Sequence, residues 1–367
     1  MRAIRVVVAD DSRLAREMLR GFLEEAGGFE VVGEAANGRE AVELVCAVRP
    51  DVLTLDLEMP VLGGMEAIDE IMSTRAVPIL VVSDVADAST ALESVRRGAL
   101  DFVEKPSFSP EATAAFIAKV RLLAGVAVIT RFRRRPGAPG VLQPPAAVAL
   151  HPPRTRDRNA APAFVPRAAS YCRVIAIASS TGGPQVLAQI LPALPAGFSC
   201  PVLVAQHISD GFAEGFAKWL DTLCPLPVVL GAEGELLAPG TVYISPSERH
   251  LTVGEDRRLA LKERRPADLY RPSCDALLSS VGSVFGRASV GIILTGMGSD
   301  GVEGLSVIRR AGGATFGQDE ASSVIYGMNR VAVDRGVVQR VLPAGELAGA
   351  MADVARRAPE DTISERA

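Results

Sequence analysis

The sequence predicts an α/β protein in which two parallel-sheet domains are joined by a linker. Short apolar runs alternate with helix-like stretches in both halves of the chain, which is the pattern of βα repeats. Polar residues directly follow these runs, and the carboxyl ends of parallel strands share the sheet edge that holds a site. The chain has 367 residues, which is enough for two or more hydrophobic cores.

Four apolar runs in the first 110 residues each lead to a residue suited to handling phosphate. The runs cover residues 4–9, 52–55, 79–82 and 102–103, and they lead in turn to Asp10 and Asp11, Asp56, Ser83, and Lys105. Grouped carboxylates favour a hard divalent cation such as Mg²⁺, and a lysine beside a metal suits an incoming phosphoryl group. Asp56 is the predicted nucleophile, because a carboxylate can form an acyl phosphate. Turn formation would explain any one of these residues alone, but not all of them in register.

Residues 1–124 resemble a response-regulator receiver domain. The matching motifs, in order, are Asp10-Asp11, Asp56, Met59-Pro60, Ser83 and Lys105-Pro106. The resemblance implies a flavodoxin-like, five-stranded, doubly wound parallel sheet and phosphorylation of Asp56 by a histidine kinase. It implies two sets of contacting residues: Mg²⁺ ligands at Asp11, Asp56 and the Glu58 carbonyl with Asp10 alongside, and phosphoryl contacts from Ser83 and Lys105.

Composition argues against several classes of protein. Lys and Arg number 39 against 43 Asp and Glu, so the net charge of −4 predicts no general affinity for nucleic acid. The five cysteines are scattered without C-x-x-C spacing, which argues against a disulfide framework or structural zinc and favours a reducing cytosol. We expect no signal peptide and no integral membrane segment, because the chain opens on a strand and lacks a bilayer-length apolar stretch.

Residues 125–170 separate the two predicted domains. This segment is rich in Pro, Ala and Arg and has no sustained helical or strand period, which is typical of a linker. Its arginine cluster at 131–135 is interpreted as solvated charge in preference to a contact with an acidic partner or membrane surface. A second domain is predicted at 171–357, followed by a polar tail at 358–367.

A second set of βα repeats begins at residue 172. Its apolar runs cover 172–178, 202–205, 290–295 and 314–317, and they lead to Ser179-Ser180, Gln206-His207, the loop containing Asp300, and Gln318-Asp319. Ser180, His207 and Asp300 would meet at one sheet edge, and a hydroxyl, an imidazole and a carboxylate are the equipment for acyl transfer. The order Ser, His, Asp and the lack of G-x-S-x-G exclude an α/β-hydrolase elbow.

Two features of this set have alternative interpretations. Ser179 and Ser180 are adjacent, and serine before a helix is commonly an N-cap. Of the three histidines, His151 lies in the linker and His250 opens a predicted edge hairpin, so His207 alone ends a core-like strand. The Thr181-Gly182-Gly183 turn supplies amides near a helix N-terminus, which could hold an oxyanion.

A dinucleotide site competes with the acyl-transfer interpretation. Residues 296–301 match G-x-G-x-x-G between a strand and a helix, and Asp319 follows the next strand, where a ribose-binding acid belongs. Too little chain follows Asp319 for the second half of such a fold, and the hypothesis leaves Ser180 and His207 unexplained. A DNA-binding output is also disfavoured, because no helix-turn-helix or basic recognition helix is predicted.

Residues 172 to about 355 resemble the catalytic domain of the chemotaxis protein-glutamate methylesterase family. The matching motifs are Ser180-Thr181-Gly182-Gly183, Gln206-His207, Pro239-Gly240, Tyr243-Ile244, Pro246, Arg271-Pro272-Ser273-Cys274-Asp275, residues 294–301, Gln318-Asp319-Glu320 and Tyr326-Gly327-Met328. The resemblance implies a three-layer α/β/α fold with a mainly parallel sheet. It implies roles for six residues: nucleophile Ser180, general base His207, orienting carboxylate Asp300, and oxyanion or positioning residues Thr181, Gly182 and Met297.

Together the two resemblances imply a phosphorylation-activated esterase. It would hydrolyse glutamate γ-methyl esters on methyl-accepting chemoreceptors, with receptor-glutamine deamidation as a second expected activity. The implied partners are these receptors and a chemotaxis histidine kinase, and the implied location is the cytoplasm at receptor clusters. Mg²⁺ is expected in the receiver and no cofactor for the ester reaction. The alternative is a response regulator with a nucleotide-binding or other non-esterase output.

Overall fold

A computed structural model describes residues 2–83, 88–107, 109–128, 173–265 and 268–356. The chain forms two compact units, Met1–Pro139 and Gly140–Ala367. Most of the predicted linker and all of the predicted tail lie outside the described residues. None of the helices in the described ranges is both long and apolar enough to cross a membrane.

The N-terminal unit alternates strands and helices. In chain order they are β1 Ile4–Ala9, α1 Arg13–Ala26, β2 Phe29–Ala35, α2 Gly38–Val48, β3 Val52–Leu55, α3 Gly64–Thr74, β4 Ile79–Ser83, α4 Ala88–Arg97, β5 Asp101–Glu104 and α5 Pro110–Leu123. The sheet has the order β2-β1-β3-β4-β5, and all its strand pairs are parallel. This confirms the predicted five-stranded doubly wound sheet.

Sequence signals account for the helix starts in this unit. Ser12 precedes α1 and its side chain accepts a hydrogen bond from the Ala15 amide, while Ser109 does the same for Ala112 at the start of α5. Pro110 occupies the first turn of α5, where its missing N–H costs nothing. All four residues of β3 are buried, as expected for a strand covered by helices on both faces.

The C-terminal unit repeats the alternation on a larger scale. Its elements are β6 Val174–Ser179, α6 Gly183–Ile190, β7 Val202–Gln206, α7 Phe212–Leu223, β8 Val228–Leu230, β9 Val242–Ile244, β10 Arg249–Val253, β11 Leu259–Glu263, α8 Cys274–Phe285, β12 Ser289–Ile293, α9 Val302–Arg310, β13 Ala314–Gln318, α10 Met328–Asp334, β14 Arg340–Leu342 and α11 Ala344–Arg356. Seven strands form a sheet of order β14-β13-β12-β6-β7-β9-β8, and all its pairings are parallel.

The large sheet is buried on both faces, which confirms the layered α/β expectation. Every residue of β6 is buried. On one face its alternate residues Val174, Ala176 and Ala178 join a core that includes Leu277 of α8 and Leu305 of α9. Strands β10 and β11 form a separate antiparallel hairpin against α8, which agrees with the hairpin predicted at His250.

One strand end differs from the expectation. The apolar run 290–295 predicts a strand up to Thr295, but β12 ends at Ile293. The Thr295 amide donates to the Gln318 side chain at 2.9 Å, so a side chain replaces the ladder at that point. Asp300 therefore does not terminate the strand. It lies in the loop after β12, directly before Gly301, the N-cap of α9.

Candidate functional sites

The phosphate-handling residues of the N-terminal unit converge at the carboxyl edge of its sheet. Carboxylate oxygens of Asp10, Asp11 and Asp56 all lie within 4.8 Å of one another. Asp10 follows β1 and Asp56 follows β3, and these strands are neighbours. Asp10 and Asp56 are buried and Asp11 is exposed, so the cluster opens to solvent on one side.

Lys105 completes the cluster. Its Nζ lies 2.8 Å from Oδ2 of Asp56 and 3.1 Å from Oδ2 of Asp10. The Lys105 amide donates to the Ser83 carbonyl at 3.0 Å, which brings the ends of β4 and β5 together. Burial raises the pKa of Asp56 against the opposing effect of Lys105. Burial acts to lower the pKa of Lys105, but the hydrogen bond and charge of Asp56 outweigh it and raise that pKa.

The residues of this cluster fit a divalent cation. Oδ2 of Asp10 is buried and accepts no hydrogen bond from the described residues, although the Lys105 ammonium is near. Three carboxylates with one such oxygen form a hard, anionic donor set of the kind Mg²⁺ prefers. Glu58, expected to add its carbonyl, is exposed in the loop that follows β3.

In the C-terminal unit the two adjacent serines have different surroundings. Ser179 ends β6, is fully buried, and donates its hydroxyl to Oε1 of Gln206 at 2.6 Å. The Ser180 hydroxyl makes no hydrogen bond within the described part of the chain. The N-cap of α6 is Gly182, in the left-handed region, with no side-chain cap bond. The helix-capping interpretation is therefore wrong for both serines.

Gln206 joins the loop of the serine to the loop of the histidine. Its Nε2 donates to the carbonyl of Ser180 at 2.9 Å and to that of His207 at 2.8 Å. The β6–β7 register, in which Ser179 pairs with Gln206, places these loops side by side. In the sequence, Gln206 stood out only as part of a motif. An amide at the end of a buried strand was the available signal for a bridging role.

His207 is paired with Asp300. Its Nε2 lies 2.8 Å from Oδ2 of Asp300, and the side chain is 14% exposed. Tyr270 stacks on the imidazole, with ring centroids 5.1 Å apart and planes inclined by 11°. Burial acts to raise the pKa of Asp300, but the hydrogen bond and charge of His207 outweigh it and lower that pKa. Asp300 is therefore an ionised partner for the imidazole.

The N-terminus of α8 holds the Asp300 carboxylate. The Cys274 amide donates to Oδ2 at 2.6 Å, the Asp275 amide to Oδ1 at 2.9 Å, and the Ser273 hydroxyl to Oδ1 at 3.2 Å. Helix N-termini favour negative charge, which supports the ionised state of Asp300. In the sequence, residues 271–275 stood out only as a motif of the family resemblance, so these contacts were not predicted.

Cys274 lies beside the His207–Asp300 pair, but its thiol is not ionised. Its Sγ is 3.4 Å from Nε2 of His207 and 3.4 Å from the Ala205 carbonyl. Complete burial, reinforced by the charge of Asp300, raises the pKa of the thiol well above its usual range. The thiol therefore stays protonated, which leaves a serine as the nucleophile candidate of this site.

The 296–298 loop passes directly against Ser180. A Cβ added to Gly296 would lie 2.5 Å from Cβ of Ser180, so only glycine permits this approach. Met297 follows, with 54% of its side chain exposed. On the other side, the amides of Thr181 and Gly182 donate to no acceptor among the described residues. Thr181 and Gly182 follow Ser180 in the chain, and Met297 follows the glycine that packs against it; their oxyanion or positioning roles stay a prediction.

His250 has a different environment from His207. It is buried in β10, its Nε2 lies 3.0 Å from Oδ2 of Asp268, and its Nδ1 accepts from the Ser273 amide at 2.9 Å. Both ring nitrogens are therefore engaged in holding the segment that precedes α8. This supports His207 as the histidine available for chemistry.

Two amides at the start of α9 that a dinucleotide would use already have an acceptor. The amides of Gly301 and Gly304, at the start of α9, both donate to Oδ1 of Asp275, at 2.9 and 2.8 Å. A pyrophosphate would require these groups. Asp319, the expected ribose-binding acid, accepts instead from the amide of Ser322 at 3.0 Å. The geometry argues against the nucleotide alternative.

Comparisons with known proteins assign a family to each of the two units. A family model described as CheB methylesterase matches residues 175–351, and one described as response regulator receiver domain matches residues 6–117. A protein-glutamate methylesterase/protein-glutamine glutaminase 3 of Paramagnetospirillum magneticum is 53% identical over 361 residues, which are 96% of each chain. The chain belongs to the CheB methylesterase family. It is a chemotaxis response regulator whose catalytic reaction is the hydrolysis of protein glutamate methyl esters.

Two further proteins similar to this chain are also described as methylesterases. A protein-glutamate methylesterase/protein-glutamine glutaminase 2 of Anaeromyxobacter dehalogenans is 42% identical over 358 residues, covering 97% of this chain and 98% of its own. The crystal structure of the Thermotoga maritima CheB methylesterase catalytic domain covers 50% of this chain and 100% of its own, with 31% identity and a TM-score of 0.49. The relatives thus match both units of this methylesterase in one continuous chain.

Proposed function

We propose that Ser180, His207 and Asp300 hydrolyse glutamate γ-methyl esters on the helical cytoplasmic part of chemoreceptors. The observation that carries this proposal is the 2.8 Å contact of His207 Nε2 with Asp300 Oδ2, beside a serine whose hydroxyl has no protein partner in the described ranges. When Nε2–H donates to Asp300, the lone pair of the imidazole is on Nδ1. Nδ1 is then the atom that takes the serine proton.

The reaction follows from these roles. His207 Nδ1 accepts the proton of Ser180 as Oγ attacks the ester carbonyl carbon, and the amides of Thr181 and Gly182 stabilise the oxyanion. Collapse of the tetrahedral intermediate breaks the bond to the methoxy oxygen, which leaves as methanol with the proton from His207. Water then attacks the acyl-enzyme with the same imidazole as base, and the products are a glutamate carboxylate and free Ser180.

The same acyl-enzyme would form from a glutamine side chain. Attack of Ser180 on the amide carbon would release ammonia in place of methanol, and hydrolysis would again yield glutamate. The relatives are named as glutaminases as well as methylesterases, which supports deamidation as a second reaction of this site.

The receiver is proposed to control the esterase by phosphorylation of Asp56 by a chemotaxis histidine kinase. Mg²⁺ held by the carboxylates of Asp10, Asp11 and Asp56 would neutralise charge on the transferring phosphoryl group. Lys105, already 2.8 Å from Asp56, and Ser83, at the adjacent strand end, would then contact the phosphoryl oxygens. The added charge and these new contacts would reshape the receiver face and release the esterase from inhibition.

Methanol release from a methylated receptor tests the esterase proposal. Full-length enzyme is compared with Ser180→Ala, each with Mg²⁺ and with and without a small phosphodonor. The expected result is release that the phosphodonor stimulates and that Ser180→Ala abolishes. Equal release by the variant would refute the assignment of the nucleophile. Association with receptor clusters, which we propose as the cellular location in the cytoplasm, is tested by fluorescence imaging with and without receptors.

A further inference from the structure

Two aspartates at the starts of α8 and α9 each bind backbone amides at the start of the other helix. Asp300 directly precedes the N-cap of α9, yet its carboxylate accepts the amides of Cys274 and Asp275 at the start of α8. Asp275 is the second residue of α8, yet its carboxylate accepts the amides of Gly301 and Gly304 at the start of α9. Each helix N-terminus is therefore capped by an acid of the other helix.

We propose that Asp275 is a positioning residue for the reaction, which holds the start of α9 against α8 and thereby sets Asp300 toward His207. The inference rests on the proposed role of Asp300 as the carboxylate that orients His207. Asp275 itself touches neither His207 nor Ser180 in the described structure. It acts through the two amides that it binds, both of which follow Asp300 in the chain, at the start of α9.

The packing of the two helices leaves little room for adjustment without Asp275. A Cβ added at Gly304 would lie 2.5 Å from Cβ of Leu278 and 3.1 Å from the Asp275 carbonyl, so the helices touch through backbone there. Because the backbones are so close, a shift of the first turn of α9 would also displace Asp275, which caps that turn. Loss of the Asp275 carboxylate would leave the amides of Gly301 and Gly304 without their acceptor, directly after Asp300 in the chain.

Charge couples the two acids as well. Burial, with the charge of Asp300 as a further cause, raises the pKa of Asp275 to about 6. Above that pH, Asp275 adds a second negative charge close to the Asp300 carboxylate that pairs with His207. The ionisable groups that act on one another here are Asp275, Asp300, His207 and Cys274.

Two substitutions separate position from charge. In Asp275→Asn the side-chain oxygen can still accept from both amides, because Asp275 uses the single atom Oδ1 for the two bonds. In Asp275→Ala both the acceptor and the charge are lost. Asp221→Ala is the matched control, since Asp221 accepts the Val228 amide at 2.9 Å elsewhere in the same unit.

The first measurement is kcat and KM for methanol release in the full-length proteins, with thermal unfolding to verify that each variant is folded. We expect Asp275→Ala to lower kcat about 10- to 100-fold with KM changed less than about threefold, and Asp275→Asn to recover at least tenfold of that loss. Asp221→Ala should lose stability without loss of kcat. A folded Asp275→Ala variant with the kcat of the control would overturn the proposal.

The second measurement does not depend on the substrate. The chain has only three histidines, so NMR spectra can assign the His207 imidazole signals by comparison with His207→Gln. We expect these ring signals to stay near their wild-type positions in Asp275→Asn, where the acceptor for both amides is kept, and to move clearly in Asp275→Ala, where it is lost. Equal shifts in the two variants would show that position is not involved and would contradict the inference. Failure of wild type to release methanol would instead refute the proposed function.

Discussion

Replacing Asp300 with asparagine tests the core of the proposed mechanism. Both oxygens of the carboxylate accept a backbone amide, that of Cys274 at Oδ2 and that of Asp275 at Oδ1. An asparagine in either orientation would therefore set its NH₂ group against an N–H donor. The oxygen that accepts the Cys274 amide also faces Nε2 of His207. The substitution consequently disturbs the helix start and the imidazole together.

The two orientations of the amide lead to different losses. If NH₂ replaces Oδ2, it donates to Nε2 of His207 and forces the ring proton onto Nδ1, which removes the base. The wrong tautomer costs roughly 10,000-fold in kcat in a serine protease triad, or about 5.5 kcal/mol. If the amide oxygen takes that place, the tautomer survives and only the charge is lost. We expect a net loss of about 1,000- to 10,000-fold, and a loss of about 1–3 kcal/mol in the free energy of unfolding from the mispaired amide.

The assay is methanol release from methylated receptor, with urea unfolding of the same preparations. Asp221→Asn serves as the control, because it changes another amide-binding carboxylate of the same unit far along the chain. The expected pattern is a large loss of kcat in Asp300→Asn and none in the control. An Asp300→Asn enzyme that keeps more than about a tenth of wild-type kcat, whatever its stability, would refute the orienting role of Asp300.

Four further outcomes are expected. Ser180→Ala should lose about 10,000-fold or more in methanol release while Ser179→Ala keeps most of it, and exchanged phenotypes would reverse the assignment. His207→Gln should remove nearly all methanol release because it removes the proposed base, and a variant that keeps the wild-type rate would point to another base. Because burial raises the folded-state pKa of Asp56, ionisation of this carboxyl destabilises the metal-free receiver as pH rises. Asp56→Asn should therefore raise the Tm of the receiver at neutral pH, with the difference gone below about pH 4; an unchanged Tm would contradict the destabilising effect of this buried charge. Deleting residues 1–170 should raise basal methanol release if the receiver is an inhibitor, and a fragment no faster than unphosphorylated enzyme would instead indicate activation by contact.

Much of the fold could be predicted because its strands are buried on both faces. Continuous apolar runs such as 4–9 and 202–205 are typical of strands that helices cover on both faces. The helices that follow them, α1 and α7, begin after Ser12 and Gly211, which are common residues at helix starts. The end of β12 could not be predicted. Thr295 continues the apolar β-branched run, and only the tertiary hydrogen bond of its amide to Gln318 ends the strand before it.

The positions of site residues could be predicted where a residue directly follows a strand end. Ser180 and His207 follow the adjacent strands β6 and β7, so the rule that strand carboxyl ends share an edge brings them together. Tyr270 was not predictable, because it lies outside any strand or helix and reaches His207 only through the folded course of the chain. The same holds for Asp275, whose spacing from Gly301 and Gly304 has no local pattern.

For Asp300, the rule that strand ends share a sheet edge explains only part of its position. The sheet-edge rule brings it near His207, but the orientation of its carboxylate comes from α8, which begins 26 residues earlier in the chain. That helix start supplies two amides and a hydroxyl, so the anion is stabilised before any substrate binds. The Asp275 carboxylate in turn accepts two amides at the start of α9, so the two helix starts are linked by hydrogen bonds in both directions. The proposed catalytic geometry would therefore depend on a helix pair as much as on the sheet, and we expect substitutions at that pair to change kcat even though they touch no substrate.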